Sequence, residues 1–257
     1  MRDVFEDIFK AEPPDPTEAA RRNLRPALRK RFYARVGVAP CAEGAGILLD
    51  GKPVRTPARR LLAAPVAALA RAIAEEWDAH KDVIDPAAMP LTRLANAIVD
   101  GVTEAPGPVK AEVAKYLASD LVLYRAAEPT RFAERQRQHW DPILAFARTR
   151  LGAHFVAAEG IVFVPQNEAA IAAAATAIPG DPWRLGAVSL IATLTGSALI
   201  ALALAQDALT GEAAWAAAHV DEDWNMELWG CDALVLERRA YEFRNFEAAM
   251  TVLRTLR

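Results

Sequence analysis

Residues 187–205, AVSLIATLTGSALIALALA, run for nineteen positions without a charged side chain. As a helix, such a stretch is about as long as a bilayer's hydrocarbon core is thick. The chain must therefore either insert it into lipid or wrap protein around it. Six of the nineteen residues are alanine, and Ser189, Thr193, Thr195, Gly196 and Ser197 lower its apolar character further. Arg184 and Asp207 flank it without a basic cluster on either side, and no aromatic belt brackets both ends. Small residues let neighbouring helices approach closely, so the stretch reads as one buried central helix with no stable membrane insertion. On this reading Ser197 bonds a backbone carbonyl and is not a nucleophile.

The rest of the chain can supply that wrapping. Its 257 residues, 53% hydrophobic and 25% charged, suit one large globular domain or two modest ones. A net charge of −3 argues against nucleic acid as a partner. The basic run RRNLRPALRKRF (21–32), with Arg55, Arg59 and Arg60, reads as a solvated arm leading into the first strand. Cys41 and Cys231 are far apart and outside any CxxC pair, which points to a reducing compartment. The N-terminus mixes acids with its few apolar residues, unlike a secretory or mitochondrial leader, so the cytoplasm is expected.

Local signals divide the chain. FYARVGV (32–38) and GILLDGKPVRTP (46–57) read as strands, with Asp50-Gly51 as a hairpin turn. Helices are expected from Pro65 to Trp77 and from Pro90 to Asp100, the second ended by Gly101. APGP (105–108) marks a boundary, beyond which GIVFVP (160–165) carries the remaining strand signal. Asp141-Pro142 and Asp181-Pro182 each look like an N-cap followed by a first-turn proline. The expected fold is α+β, with a small β-containing domain at 31–105 and an all-helical domain at 106–257. A polar arm precedes them at 1–30, and five to seven helices should follow the boundary.

Catalytic motifs for phosphate, zinc-protease or serine-hydrolase chemistry do not occur, and no cofactor is implied. His80, His139 and His154 stand singly, as surface or core-edge histidines do. The dense cluster is AAHVDEDWNMELWG (217–230). Treated as one helix with His219 at zero, Asp223 falls near roughly 40° and Glu227 near roughly 80°. Glu222 falls near roughly 300°, inside a stripe of Trp215, Met226 and Trp229. His219, Glu222 and Asp223 could act as an acid–base or metal-dependent enzyme site, though one helix cannot enclose a metal, so none is expected. Glu222 among tryptophans is either half of an internal ion pair with an arginine from another helix or the charged centre of a protein-binding surface. The wheel leaves both open.

The order of segments resembles one family. LLDGKPVRTP (48–57), AIAEEWDAH (72–80), MPLTRLANAIVDG (89–101), YLASDLVLYRA (116–126), HWDPILAFA (139–147), LTGSALIALAL (194–204) and AAHVDEDWNMELWG follow one another as in the ATP synthase α-subunit assembly chaperones of mitochondria and some bacteria. The resemblance covers about residues 31–255. It implies a small β-containing domain followed by an orthogonal helical bundle, and a task without catalysis. The implied task is holding the free α subunit and covering its β-facing surface until β replaces it. It implies that Glu222 matches an acidic functional position, so Glu222, Trp215, Met226, Trp229 and Asp223 are the expected partner-binding residues. Trp77 should be a packing anchor, His80 stands where glutamine is usual, and the missing presequence suits a bacterial member.

Overall fold

The computed structural model describes residues 28–160 and 163–257. Most of the polar arm and basic run (1–27), and residues 161–162 of the expected GIVFVP strand, lie outside the described residues; Phe163, Val164 and Pro165 form no strand.

The hairpin forms where the turn chemistry puts it. Strands β1 (Arg29–Lys30), β2 (Val36–Cys41), β3 (Gly44–Leu49) and β4 (Lys52–Pro53) come first. Leu49 pairs with Lys52, leaving Asp50 and Gly51 in the turn at φ 48° and 78°. Both values are positive, as a two-residue turn matched to strand twist requires. β2 runs antiparallel to β3 from Val36 opposite Leu49 to Cys41 opposite Gly44, and β5 (Ala63–Ala64) pairs with β3 on its other side. Ala45, Ile47 and Leu49 alternate inward and are buried. Helix α1 (Ala67–Asp78) packs on this sheet and buries Leu69, Ala70 and Ile73. Pro65 lies just outside α1, whose N-cap is Val66. β1 pairs with β6 (Val83–Ile84), so the expected arm already turns into strand at Arg29.

One expected helix changes shape. α2 (Pro90–Ala97) continues through Gly101 as a π turn, Ile98–Val102, where it was expected to stop. Its N-terminal amides, unpaired within the helix, are met by Glu76 of α1, whose carboxylate accepts from Leu91 N–H and Thr92 N–H at 2.7 Å each. Burial pushes the Glu76 pKa upward despite those bonds. Pro106 of the APGP boundary opens α3 (Pro106–Ala118).

After α3 come a short 3-10 turn (Leu121–Leu123) and β7 (Tyr124–Arg125), which pairs in parallel with β8 (Ala158–Glu159). The helices are α4 (Thr130–Arg150), α5 (Glu168–Ala175), α6 (Pro182–Thr195), α7 (Ala198–Ala205), α8 (Gly211–Ala218), α9 (Val220–Trp229) and α10 (Ala233–Thr255). Eight helices thus follow residue 105 among the described residues, against five to seven expected. The surplus comes from breaks at Gly196 and His219. The central stretch 187–205 is two helices, because Gly196 sits at φ 66°, a left-handed conformation that ends a helix. Ser197 caps α7 by accepting from Ile200 N–H at 3.0 Å, a correction to its expected back-bond. Asp181 caps α6 as its sequence suggests, accepting from Arg184 N–H at 2.9 Å. Pro142, in contrast, lies inside α4 and starts nothing, while Asp141 bonds Arg125 at 2.9 Å.

Every residue of α7 is buried, with α3, α4, α6 and α8 packed around it. α6 is gripped by α10, α3 and the π turn. Gly186 lets it come that close: a Cβ there would lie 2.5 Å from Ile98 Cγ1. Protein covers the charge-free stretch except at Thr193, which is exposed, and no described helix is long and apolar enough to cross a membrane.

Asp120 ties these parts together. It has no exposed surface, and its carboxylate accepts from Val122 N–H at 3.3 Å and from Leu199 N–H at 3.0 Å. One carboxylate therefore serves the 3-10 turn and the first turn of α7, while Leu121 N–H donates to the Gly196 carbonyl at 3.1 Å. Burial outweighs these donors and pushes the Asp120 pKa up to about 6. Its protonated form is the one the fold prefers, so this contribution is full below about pH 4 and is lost as pH rises through about 6. Asp120→Asn does not titrate, so wild-type stability measured against it should fall by about 2 kcal/mol between pH 4 and 7. Urea unfolding at both pH values checks this, and a flat difference contradicts it. Asp120→Ala orphans buried N–H groups at about 1–3 kcal/mol each, and Ala198→Arg places an unpaired charge in the core. Cooperative thermal unfolding should be lost or sharply lowered in both variants.

Candidate functional site

The cluster at 217–230 is not one helix. At His219 the backbone leaves helical geometry (φ −116°, ψ 17°), ending α8 and starting α9. The single-wheel arrangement of Trp215 beside Glu222 therefore does not hold. Trp215 points into an aromatic group, 3.9 Å from the His219 ring, 5.0 Å from Phe243 and 5.2 Å from Phe246 between centroids. His219 is buried, and its Nδ1 donates to the Trp215 carbonyl at 2.8 Å. Its Nε2 is 3.9 Å from Glu222.

α9 opens with Asp221, Glu222 and Asp223 in its first turn, where carboxylates face the positive end of the helix dipole. Gly230, at φ 80°, releases the chain, and Asp232 caps α10 by accepting from Leu234 N–H at 2.7 Å. α10 then returns along α9. That hairpin brings Arg238 and Arg239 to the acids: Arg238 to Glu222 at 3.0 Å, Arg239 to Glu222 at 3.4 Å and to Asp223 at 2.5 Å. On its other flank α9 is held by α4. Gln136 donates to Asp221 at 2.9 Å, Arg135 pairs with Glu227 at 2.6 Å, and Phe132 stacks on Trp224 with centroids 5.1 Å apart.

The ion-pair reading of Glu222 finds its arginines on the next helix. The Glu222 side chain is nevertheless 26% exposed, and Arg238 beside it is 61% exposed. Arg239 is only 18% exposed and is shared with Asp223. Of the other expected residues, Met226 is half-buried and Trp229 is 83% exposed at the hairpin tip. Leu228, Leu234 and Leu236 are also exposed around that tip. Sequence reading missed these leucines and the arginine pair. The Arg-Arg at 238–239, one helix turn-back beyond Gly230, is the signal that could have found them.

The geometry offers little to an acid–base or metal reading of His219, Glu222 and Asp223. The histidine is buried on a carbonyl and the acids are held by arginines. Among the described residues no group of three or more His, Cys, Asp or Glu could hold a metal.

The chain is similar to known proteins along most of its length. Residues 30–148 match the family model for the ATP12 chaperone protein. The crystal structure of the Atu1473 protein of Agrobacterium tumefaciens is 44% identical, with 96% of this chain and 93% of that one covered and a TM-score of 0.86. That of Atp12 from Paracoccus denitrificans is 34% identical, with 89% and 99% covered and a TM-score of 0.82.

Because Arg239 keeps Asp223 and Arg238 is largely in solvent, removing the Glu222 charge should leave no stranded buried cation. Glu222→Gln should therefore melt within about 1 kcal/mol of wild type, the range of exposed pairs. A drop of several kcal/mol in chemical unfolding would make Glu222 an internal strut instead.

Proposed function

The chain belongs to the ATP12 chaperone family, and from that premise we propose that it assists assembly of the ATP synthase catalytic sector in the bacterial cytoplasm, binding the free α subunit and shielding its β-facing surface until β replaces it. The observation that carries this reading is the tip of the α9–α10 hairpin, where Leu228, Trp229, Leu234 and Leu236 stay exposed beside a band of acids and arginines. Contiguous exposed apolar side chains favour aggregation unless another protein covers them, and tryptophan next to arginine is the usual composition of a binding hot spot. In this proposal Trp229 and Met226 give apolar contact, and Glu222 and Asp223 set the register. Trp215 supports them from behind through His219 and Phe243.

A holder of this kind needs no nucleotide. It covers apolar surface that would otherwise aggregate, and a partner that buries more of the same surface displaces it. The alternative, an enzyme built on His219, Glu222 and Asp223, has no geometric support to set beside this.

Light scattering of isolated, unfolding ATP synthase α subunit tests the proposal. Wild-type protein in several-fold excess should suppress scattering without nucleotide. Glu222→Gln and Trp229→Ser should fold normally and fail to suppress it, because each removes one element of the contact. Equal scattering with and without wild-type protein defeats the client assignment. Full protection by both folded variants moves the contact surface elsewhere on the molecule.

A further inference from the structure

A second apolar surface lies far from α9 in sequence and has no part in that proposal. A groove of about 820 Å3 opens beside the small sheet, walled by Phe32, Tyr33, Leu49, Val54, Trp77 and Ile84. It is an unfinished interior. Phe32 is 58% exposed on its lip, and the buried Nε1 of Trp77 has no acceptor among the described residues. Arg29, Lys52 and Arg55 line its edge. Asp50, turned to the N–H groups of Ala34 and Arg35, is the one acid in the lining against three cations, so the net charge of the groove is positive.

The chain itself carries the complement. Residues 3–9 read DVFEDIF. At helical spacing Val4, Phe5, Ile8 and Phe9 share an arc of about 140°, while Asp3, Glu6 and Asp7 share the opposite one. Leu28, where the described chain begins, is itself part of the groove wall, so the polypeptide enters the fold at the edge of this site. Residues 10–27 lie between, a tether that reaches about 60 Å at full extension and includes PPDP (13–16).

We propose that residues 3–9 dock in cis into the Phe32–Trp77 groove, their apolar arc against its aromatic wall and their acids against Arg29, Lys52 and Arg55. The tether holds the segment at a local concentration of order millimolar, which favours the chain's own segment over a second copy at ordinary protein concentrations. Docking covers the apolar lip that Phe32 otherwise presents to solvent.

The test uses the full chain, as wild type and as Phe5→Ser/Phe9→Ser, with a fluorescein-labelled synthetic peptide of residues 2–12. Both phenylalanines lie outside the described fold, and thermal melting verifies that the variant remains folded. By fluorescence anisotropy the variant should bind the peptide about tenfold more tightly than wild type, whose groove is already filled. Lys52→Glu added to the variant should weaken binding about tenfold, and a peptide carrying Glu6→Lys and Asp7→Lys should restore it. Equal binding by wild type and variant, binding by neither, or indifference to Lys52→Glu overturns the proposal. Sedimentation of wild type as a dimer that the variant dissolves would show segments exchanged between copies, and would overturn docking in cis.

Discussion

Asp120 is where the helical part of the molecule closes. A fully buried carboxylate is expensive, and burial outweighs the hydrogen bonds it receives, pushing its pKa up to about 6. The fold retains it because the start of α7 lies deep in the core. Helices begin with N–H groups that nothing in the helix can satisfy, and water does not reach these. Asp120 meets Leu199 N–H while Ser197 meets Ile200 N–H, and Leu121 N–H in return takes the Gly196 carbonyl. The segment 120–123 is thereby clamped onto 196–199, residues more than seventy positions later in the chain.

The break between α6 and α7 explains how a charge-free stretch can be buried in a protein of this size. One unbroken helix of nineteen residues would be about 28 Å long and would need cover along its whole length. Folded at Gly196, it becomes two shorter helices that cover one another, with α7 sheathed by α3, α4 and α8 and α6 by α10. Small residues make the approach possible, most sharply at Gly186, where Ile98 of the π turn occupies the space a side chain would need. α4 and α10, both long, extend from this core to the site. One brings Phe132, Arg135 and Gln136 to α9, the other Arg238 and Arg239.

What could be read from the sequence follows the range of the interactions. The Asp50-Gly51 turn, the β2–β3 hairpin and the Asp181 cap were legible because each depends on residues within a few positions. Gly196 was visible but ambiguous, since within an apolar run a glycine serves equally as a close-packing residue or a helix terminator. Pro142 carried the same start signal as Pro182, but α4 absorbs it and Asp141 is claimed by Arg125. The wheel over 215–229 failed because alanine-rich sequence keeps helical periodicity across the break at His219. Glu222 was found as an acid out of place. Its partners were not, since they lie sixteen and seventeen residues ahead across a glycine turn.

The α9–α10 hairpin separates two kinds of surface along one helix. Glu222 and Trp229 are seven residues apart, so they lie on nearly the same side and about 10 Å from each other along the axis. Half-exposed ion pairs contribute little to stability, so the Glu222 band does not chiefly hold α9 in place. The stacking of Trp224 on Phe132 and the aromatic packing of Trp215 do more. In the proposed contact the band is a charge pattern beside an apolar tip. A partner reaching both must carry an apolar side chain for Trp229 and, two turns away, a basic group for Glu222. Of the two arginines already there, Arg238 is the one such a group can displace, being largely in solvent, while Arg239 remains anchored on Asp223. Under the proposed function, the tip supplies apolar contact and the band discrimination, since a partner without the basic group finds Glu222 still paired and gains only the apolar contact.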